Sequence, residues 1–312
     1  MTGIFYHGLF GKHLEGYRHV ESPDRYRVVM ERLRNCPLTG SLSFIEAERA
    51  RIEWIKKVHD PEYVDGILAL EVDEPVVLDW GDTVATRYTV EAALHSAGAG
   101  VQAARMVLGG ELDSAFCTGR PPGHHAEPGR AMGFCIFNNI AIATDWLLEE
   151  GGLDRVAIVD WDIHHGNGTE KIFIGDPRAL YVSIHQYPHY PGTGHDRTTG
   201  TGRGEGYNLN IPVGAGADHD LYIRYFKDTI VPALDDFAPE FLMISAGFDA
   251  HADDPLSSGF LTKESFAEMT VMLRDVAERH AGGRIVSLLE GGYDLDALAD
   301  SVEAHVAALA GL

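Results

Sequence analysis

Short apolar segments that alternate with helical ones constrain the fold of this chain more than any other feature of its sequence. The segments with the length and residue types of buried strands are SAFCT, VAIVD, ALYVSIH, FLMISAG and RIVSLLEGG. Residues 89–108 and 135–151 have helical patterns. Because this alternation is typical of a parallel sheet covered by helices, we predict an α/β fold with a central, mostly parallel sheet. No repeat, low-complexity block or long linker interrupts residues 1–312, so we expect a single domain.

The charge balance and the cysteines limit the partners and the compartment. The chain has 47 acidic and 25 basic residues, a formal net charge of -22. Such a surface repels nucleic acid and acidic membranes and attracts cations, although the charge could also serve solubility alone. The three cysteines form no CxxC pair, and neither a signal peptide nor a membrane-length apolar run is evident. We expect a soluble, cytoplasmic protein without direct nucleic-acid or membrane binding. The sequence allows either a monomer or an oligomer.

Ionisable residues follow most of the predicted strands. GRPPGHHA follows SAFCT, WDIHHGNG follows VAIVD, FDAHADDP follows FLMISAG, and Tyr293 follows RIVSLLEGG. In an open parallel sheet, ligands bind beyond the carboxyl ends of the strands, where side chains from several loops meet. The sequence therefore predicts one active site at the C-terminal ends of the strands.

Asp162, His164 and Asp249 are candidate metal ligands. Asp162 and His164 are two residues apart, so in extended backbone their side chains would leave the same side of the chain. Three protein ligands with an open fourth position are typical of a catalytic zinc site, although an isolated Asp-x-His is more often a loop cap. A two-manganese cluster is the alternative and would need bridging carboxylates. Gly166 and His251 stand where such carboxylates would be expected, so we favour one metal ion.

The remaining polar residues at these strand ends are suited to acid–base chemistry. One histidine of the adjacent pair His124 and His125 can act as a general base toward a metal-activated water. Asp160 and Asn167 flank the metal ligands and are suitable acceptors to fix the tautomers of the two imidazoles. The hydroxyl of Tyr293 could donate a hydrogen bond to a carbonyl oxygen as negative charge develops there.

Taken together, these segments resemble the zinc-dependent histone deacetylase family, in its bacterial branch similar to class II. The resemblance covers nearly the whole chain and rests on motifs that follow one another in the family's order: HVESPDR, DTVAT, RPPGHHAEPGRAMGFCIFNNIAIA, IVDWDIHHGNGTE, SIHQYPHYPGTG, SAGFDAHADDPL and LEGGYDL. It implies an arginase–deacetylase fold and hydrolysis of an N-acetyl amide at the end of a narrow tunnel.

The resemblance also assigns roles to individual residues. It implies that Asp162, His164 and Asp249 hold zinc, that His125 is the general base and that His124 is its electrostatic partner. Asp160 would lie behind His124 and Asn167 behind His125, and Tyr293 would polarise the substrate carbonyl. Many class I relatives carry aspartate where this chain has Asn167, so the group behind His125 is neutral here.

Further positions match the family's substrate and potassium sites. The tunnel wall would include Gly133, Phe134, Tyr190 and Leu256. Asp82 matches a residue at the rim that binds the substrate backbone, and Arg25 matches a residue deep in an acetate-release channel. A structural potassium ion would be held by the side chains of Asp160, Asp162 and Ser183 and the backbone carbonyls of His164 and Ile184.

The expected reaction is the removal of acetyl groups from acetyl-lysine in proteins or peptides. An alternative substrate class is small, such as an acetylpolyamine, and bacterial members of the superfamily include such enzymes. An inactive protein that only binds acetylated ligands is a weaker alternative, because every catalytic position of the family is filled in this sequence.

Overall fold

A computed structural model describes residues 1–79 and 81–312 and contains one large parallel sheet. The strands of the described residues are β1 (Thr2–Tyr6), β2 (Leu42–Glu46), β3 (Val76–Val77), β4 (Val84–Ala85), β5 (Ser114–Cys117), β6 (Val156–Asp160), β7 (Ala179–Gln186), β8 (Asn208–Val213), β9 (Phe241–Ala246) and β10 (Ile285–Leu289). Eight of them form the sheet in the order β2-β1-β5-β10-β9-β6-β7-β8, with every neighbouring pair parallel. β3 and β4 form a separate antiparallel pair.

Helices connect the strands. The α-helices of the described residues are α1 (Pro23–Asn35), α2 (Ile52–Val58), α3 (Pro61–Leu68), α4 (Thr89–Leu108), α5 (Asn139–Glu149), α6 (Asn167–Phe173), α7 (His219–Tyr225), α8 (Val231–Phe237), α9 (Lys263–His280) and α10 (Leu295–Leu309). A π-helical turn at Phe226–Ile230 joins α7 to α8. Across the part of the chain that the structure describes, no helix combines the length and the apolar character needed to span a membrane.

Both faces of the sheet are buried. Along β6, Val156 and Ile158 belong to the hydrophobic cluster that includes side chains of α4 and α5, whereas Ala157 and Val159 belong to the cluster that includes side chains of α9 and α10. All four side chains are fully buried. Since burial of a Val or Ile side chain contributes roughly 1.5–3 kcal/mol, this strand is anchored from both sides and holds the loop that follows it in place.

The predicted α/β class and the parallel sheet are confirmed. The five predicted strands correspond to β5, β6, β7, β9 and β10, and the first predicted helix corresponds to α4. The second helical prediction, 135–151, is too long, because the Asn138 side chain accepts a hydrogen bond from the Ala141 backbone N–H at 3.1 Å and starts α5 at Asn139. The sequence reasoning did not identify β1, β2 and β8.

The strand order brings the polar strand ends together. β5, β10, β9 and β6 are the four strands whose ends carry the ionisable residues, and they are consecutive neighbours in the sheet. Their carboxyl ends therefore open onto one continuous edge, as expected for the ligand site of a parallel sheet.

Candidate active site

The three candidate metal ligands converge at the ends of β6 and β9. His164 Nδ1 lies 3.1 Å from Asp162 Oδ1 and 2.9 Å from Asp249 Oδ2. All three residues are buried, and their ligand atoms lie within 4.8 Å of one another. The expected extended backbone is wrong: the chain bends at 162–164, and Asp162 Oδ1 also accepts a hydrogen bond from the His164 backbone N–H at 2.9 Å. The bend, not strand alternation, brings these two side chains together.

The surroundings of this triad fit a cation. The backbone N–H groups of Gly291 and Ile163 bind one oxygen each of Asp162 and Asp249, at 2.8 and 3.0 Å. A Cβ atom at Gly291 would clash with both carboxylates. Desolvation and the Asp162 carboxylate raise the pKa of Asp249 to about 7, because two buried carboxylates lie close together. A divalent ion bound by one nitrogen and two carboxylates would relieve this repulsion.

The structure supports one such group. Among residues 1–79 and 81–312, Asp162, His164 and Asp249 are the only cluster of three His, Cys, Asp or Glu ligands close enough to share an ion. Neither Gly166 nor His251 contributes a carboxylate that could bridge to a second ion. Two carboxylates and one imidazole form a donor set that could hold a metal ion.

The two adjacent histidines have different partners. His124 Nδ1 lies 3.0 Å from Asp160 Oδ2, and His125 Nδ1 lies 2.8 Å from Asn167 Oδ1. Desolvation disfavours charge on His124, but the carboxylates of Asp160 and Asp162 outweigh it and raise its pKa to about 10. Desolvation and the neighbouring His124 lower the pKa of His125 well below its usual range. The two imidazoles therefore lie in environments that shift their pKa values in opposite directions, and their ring centroids are 4.0 Å apart.

Tyr293 follows β10 and packs over the buried guanidinium of Arg25. The guanidinium carbon lies 5.0 Å from the Tyr293 ring centroid, and Arg25 Nε donates to the Gly292 carbonyl at 2.6 Å. The Asp254 carboxylate accepts hydrogen bonds from two backbone N–H groups, that of Tyr293 at 2.7 Å and that of Leu256 at 2.9 Å. Arg25 thus packs against Tyr293, and the Leu256 backbone is linked to the Tyr293 backbone through Asp254.

Aromatic rings lie beside His125 and Tyr293. Phe134 contacts Tyr293 edge-to-face with ring centroids 5.9 Å apart, and Tyr190 contacts His125 in the same way at 5.2 Å. Gly133 has a φ of +56°, and a Cβ atom there would clash with the His125 ring. Phe134 adopts a φ of +68°, a backbone conformation that is rare for a bulky residue and is more often found at functional sites.

A groove of about 590 Å³ opens at the surface beside these rings, lined in part by Asp82, Arg130 and Tyr190. Asp82 is half-buried, and desolvation together with the nearby Asp79 carboxylate raises its pKa to about 6. The groove therefore has an acidic side, formed by the β3–β4 hairpin, and an aromatic side.

Three of the five candidate potassium ligands, Asp160, Ser183 and Ile184, lie next to one another in the sheet, and Asp162 and His164 lie in the bend after β6. Ser183 of β7 is the register partner of Asp160 of β6, and Ile184 follows it. Both Ser183 and Ile184 are fully buried. Asp160 Oδ1 also accepts a hydrogen bond from the Asp162 backbone N–H at 3.1 Å, which connects this region to the metal triad.

Three buried acidic residues support the site and were not identified from the sequence. Glu290 Oε2 accepts hydrogen bonds from the backbone N–H groups of Gly123 and His124, at 2.7 and 3.1 Å. Glu127 Oε1 accepts one from Asn167 Nδ2 at 2.9 Å. Asp254 is the third. Their only sequence signal is position: Asp254 lies inside the segment FDAHADDP, Glu127 directly follows GRPPGHHA, and Glu290 lies near the end of the predicted strand RIVSLLEGG.

Comparison with known proteins agrees with this geometry. The histone deacetylase domain model matches residues 19–309. A probable deacetylase of Archaeoglobus fulgidus is 41% identical over 314 residues, covering 100% of this chain and 87% of that protein. The histone deacetylase-like amidohydrolase of Pseudomonas aeruginosa is 41% identical over 282 residues, covering 88% and 72%. The crystal structure of the HDA15 HD domain has a TM-score of 0.92 at 35% identity, covering 99% of this chain and 88% of that one. This chain is therefore a hydrolase that belongs to the histone deacetylase family.

Proposed function

We propose that this enzyme removes acetyl groups from the side chains of acetyl-lysine residues in proteins or peptides. The observation that carries the proposal is the convergence of three groups at one sheet edge: a three-ligand cation site, two adjacent imidazoles bonded to Asp160 and Asn167, and the phenol of Tyr293. Amide hydrolysis needs an activated water, a proton acceptor and a stabiliser of the developing oxyanion. Each of these needs has a matching group here.

We further propose that Asp162, His164 and Asp249 hold one zinc ion per chain. When bound, zinc would supply Lewis-acid activation of a water molecule and of the acetyl carbonyl. A structural potassium ion is proposed next to it, where hard oxygen donors meet, with these ligands: the side chains of Asp160, Asp162 and Ser183 and the carbonyls of His164 and Ile184.

The chain's own groups would carry the proton steps. His125 has its Nδ1 bonded to the Asn167 oxygen, so its Nε2 is free to accept the proton of the attacking water. The hydroxyl of Tyr293 would donate a hydrogen bond to the oxyanion that forms on the acetyl carbon. An imidazole of the pair then protonates the leaving amine, and the products are the free amine and acetate.

The surroundings of Tyr293 favour a lysine side chain as the leaving amine. Phe134, Tyr190 and Leu256 would line the methylene chain of acetyl-lysine with apolar surface. Leu256 offers no charge to a second, internal ammonium, and an unpaired buried ammonium would be costly. Asp82 at the groove would accept hydrogen bonds from the substrate backbone.

One observation favours a second candidate, a small acetylated polyamine. The carboxylates of Asp79 and Asp82 lie on one side of the groove, and they would attract a polycation. That attraction acts mainly on encounter and weakens with salt, since the Debye length is about 8 Å at 0.15 M. We therefore expect the groups around Tyr293 to decide the substrate.

Parallel kinetics on both substrate classes test the proposal. The values of kcat/KM would be measured for an acetyl-lysine peptide, acetylspermidine and acetylputrescine at about 0.15 M salt, where screening is strong. We expect the peptide to give the highest value. If an acetylpolyamine exceeds the peptide tenfold or more, the small-molecule function replaces the proposed one.

We also propose that residues 1–312 work as one catalytic domain in a reducing compartment such as the cytoplasm. The candidate site draws on residues from Arg25 to Tyr293, so most of the chain contributes to it. Cys36, Cys117 and Cys135 are free and buried, which suits a reducing environment.

A further inference from the structure

Glu127 lies behind Asn167, the residue that binds His125. Asn167 Oδ1 lies 2.8 Å from His125 Nδ1, and Asn167 Nδ2 donates to Glu127 Oε1 at 2.9 Å. All three side chains are buried or nearly so, with exposed fractions of 3% for His125, 5% for Asn167 and 8% for Glu127. A continuous chain of hydrogen bonds therefore runs from the imidazole to the carboxylate.

Two surface cations complete this chain. Lys171 Nζ donates to Glu127 Oε2 at 2.8 Å. Arg130 donates to both carboxylate oxygens, from Nη2 to Oε1 at 2.9 Å and from Nε to Oε2 at 3.0 Å. Desolvation alone would raise the pKa of Glu127, but hydrogen bonds from Arg130, Lys171 and Asn167 outweigh it, and the net shift is downward. Glu127 therefore stays an ionised group that can only accept hydrogen bonds.

This acceptor-only character selects one orientation of the Asn167 amide. An asparagine amide presents an oxygen at one end and an NH₂ group at the other, and nothing intrinsic to it favours either end. The carboxylate of Glu127 can pair with the NH₂ end alone. The same NH₂ group also donates to the His125 carbonyl at 3.4 Å and to Met132 Sδ at 3.2 Å, so Glu127 is its only charged acceptor among the described residues. The oxygen of Asn167 must then face His125, which requires the imidazole proton to be on Nδ1 and leaves Nε2 as the basic nitrogen.

We propose that Glu127 is a positioning residue that sets the tautomer of His125 through the amide of Asn167. The proposal deepens the proposed function, because it rests on His125 as the proton acceptor. If the amide turned, its NH₂ group would face Nδ1, the imidazole proton would move to Nε2, and the nitrogen that must accept the proton would already carry one.

The neutral residue behind His125 makes this support necessary. An aspartate at that position would present an acceptor to His125 in either orientation, whereas asparagine does so in only one of its two orientations. An aspartate would also place a second carboxylate about where Asn167 Nδ2 meets Glu127, and two carboxylates at hydrogen-bond distance repel each other. Glu127 is thus favourable with asparagine and unfavourable with aspartate.

Glu127→Gln is the main test, because it keeps the size of the side chain. Two cationic donors bind Oε2, whereas one, Arg130 Nη2, binds Oε1, so we expect the glutamine to keep its oxygen at the Oε2 position and to turn its NH₂ group toward Asn167. The Asn167 amide should then turn as well. We expect kcat on an acetyl-lysine peptide to fall by about 10–100-fold, the range for loss of outer-shell partners, with KM changed less than about twofold. Lys171→Gln removes one cation but keeps the carboxylate, and it should retain kcat within about threefold.

A double-mutant cycle separates positioning from a merely structural role. In the Asn167→Asp background, Glu127→Gln should raise kcat instead of lowering it, because it removes the repulsion between two carboxylates. A structural defect would lower kcat by a similar factor in both backgrounds, and that result would overturn the proposal.

The tautomer itself can be observed without turnover. Nitrogen-15 spectra of the histidine rings in the zinc-loaded protein should show the His125 proton on Nδ1 in the wild type and on Nε2 in the Glu127→Gln variant. A proton that stays on Nδ1 in this variant would overturn the inference. If the variant shows the predicted change of tautomer but the wild-type protein hydrolyses no acetyl-lysine peptide, the proposed function is contradicted. The role of Glu127 in setting the tautomer is still supported in that case.

Discussion

Removal of the Tyr293 hydroxyl is the sharpest perturbation of the proposed chemistry. Tyr293→Phe keeps the ring contacts with Arg25 and Phe134, at centroid distances of 5.0 and 5.9 Å. It also keeps the hydrogen bond from its own backbone N–H to Asp254, at 2.7 Å. Within residues 1–79 and 81–312, no hydrogen bond involves the hydroxyl, so its loss breaks no hydrogen bond of the folded protein.

The expected effect is therefore confined to catalysis. Loss of one donor to a developing oxyanion lowers kcat by about 10²–10³-fold, which corresponds to about 2.7–4 kcal/mol of transition-state stabilisation. The free energy of unfolding should change by no more than about 0.5 kcal/mol, as for a substitution that removes no interaction. Metal binding should be unchanged, because Tyr293 is not among the three candidate ligands.

Three measurements on the same preparations make the prediction testable. Steady-state kinetics on an acetyl-lysine peptide give kcat, elemental analysis gives zinc per chain, and urea unfolding gives stability. We expect a large loss of kcat with the other two values unchanged. If kcat stays within about threefold of the wild type, the oxyanion is stabilised by another group and the role given to Tyr293 is wrong. Loss of zinc in this variant would equally contradict the separation of binding from chemistry.

Other predictions address the metal, the substrate and the pH dependence of stability. Asp249→Ala should lose zinc and activity together, while Asp253→Ala at an exposed neighbouring position should retain both, as elemental analysis and kinetics would show. Leu256→Glu should raise kcat/KM for acetylspermidine and lower it for the peptide; an unchanged ratio would place Leu256 outside the substrate site. Burial lowers the pKa of His305 to about 3, from 6.5. Between these pH values the His305 imidazole is protonated in the unfolded state and neutral in the folded state. The free energy of unfolding should therefore fall as the pH decreases, by up to about 1.4 kcal/mol per pH unit from this group. Urea unfolding of His305→Gln should show a flatter dependence below pH 6.5.

The parts of the site that could be predicted from sequence are those fixed by strand ends. Because β6 and β9 are neighbours in the sheet, residues directly after them meet, and Asp162 and Asp249 follow from that rule alone. The strands β1, β2 and β8 escaped detection because their apolar pattern is interrupted. In β8 (Asn208–Val213), for example, asparagines occupy two buried positions.

The supporting residues could not be predicted, because their partners are distant in sequence or depend on side-chain conformation. Glu290 accepts a hydrogen bond from the backbone N–H of His124, which is 166 residues away in sequence. Asp254 accepts hydrogen bonds from the backbone N–H groups of both Tyr293 and Leu256. No spacing rule encodes either contact. The bend at 162–164 could not be predicted either, because it is stabilised by a hydrogen bond from the His164 backbone N–H to a side-chain oxygen of Asp162.

We propose that one zinc ion, held by Asp162, His164 and Asp249, organises the reaction site of this deacetylase. The most direct test is a crystal structure of the protein with a bound hydroxamate, with diffraction data collected on both sides of the zinc absorption edge. We expect one strong anomalous peak at about 2.0–2.2 Å from His164 Nδ1 and from an oxygen of each aspartate. Two peaks of comparable height in this site, or a zinc peak bound by other residues, would contradict it.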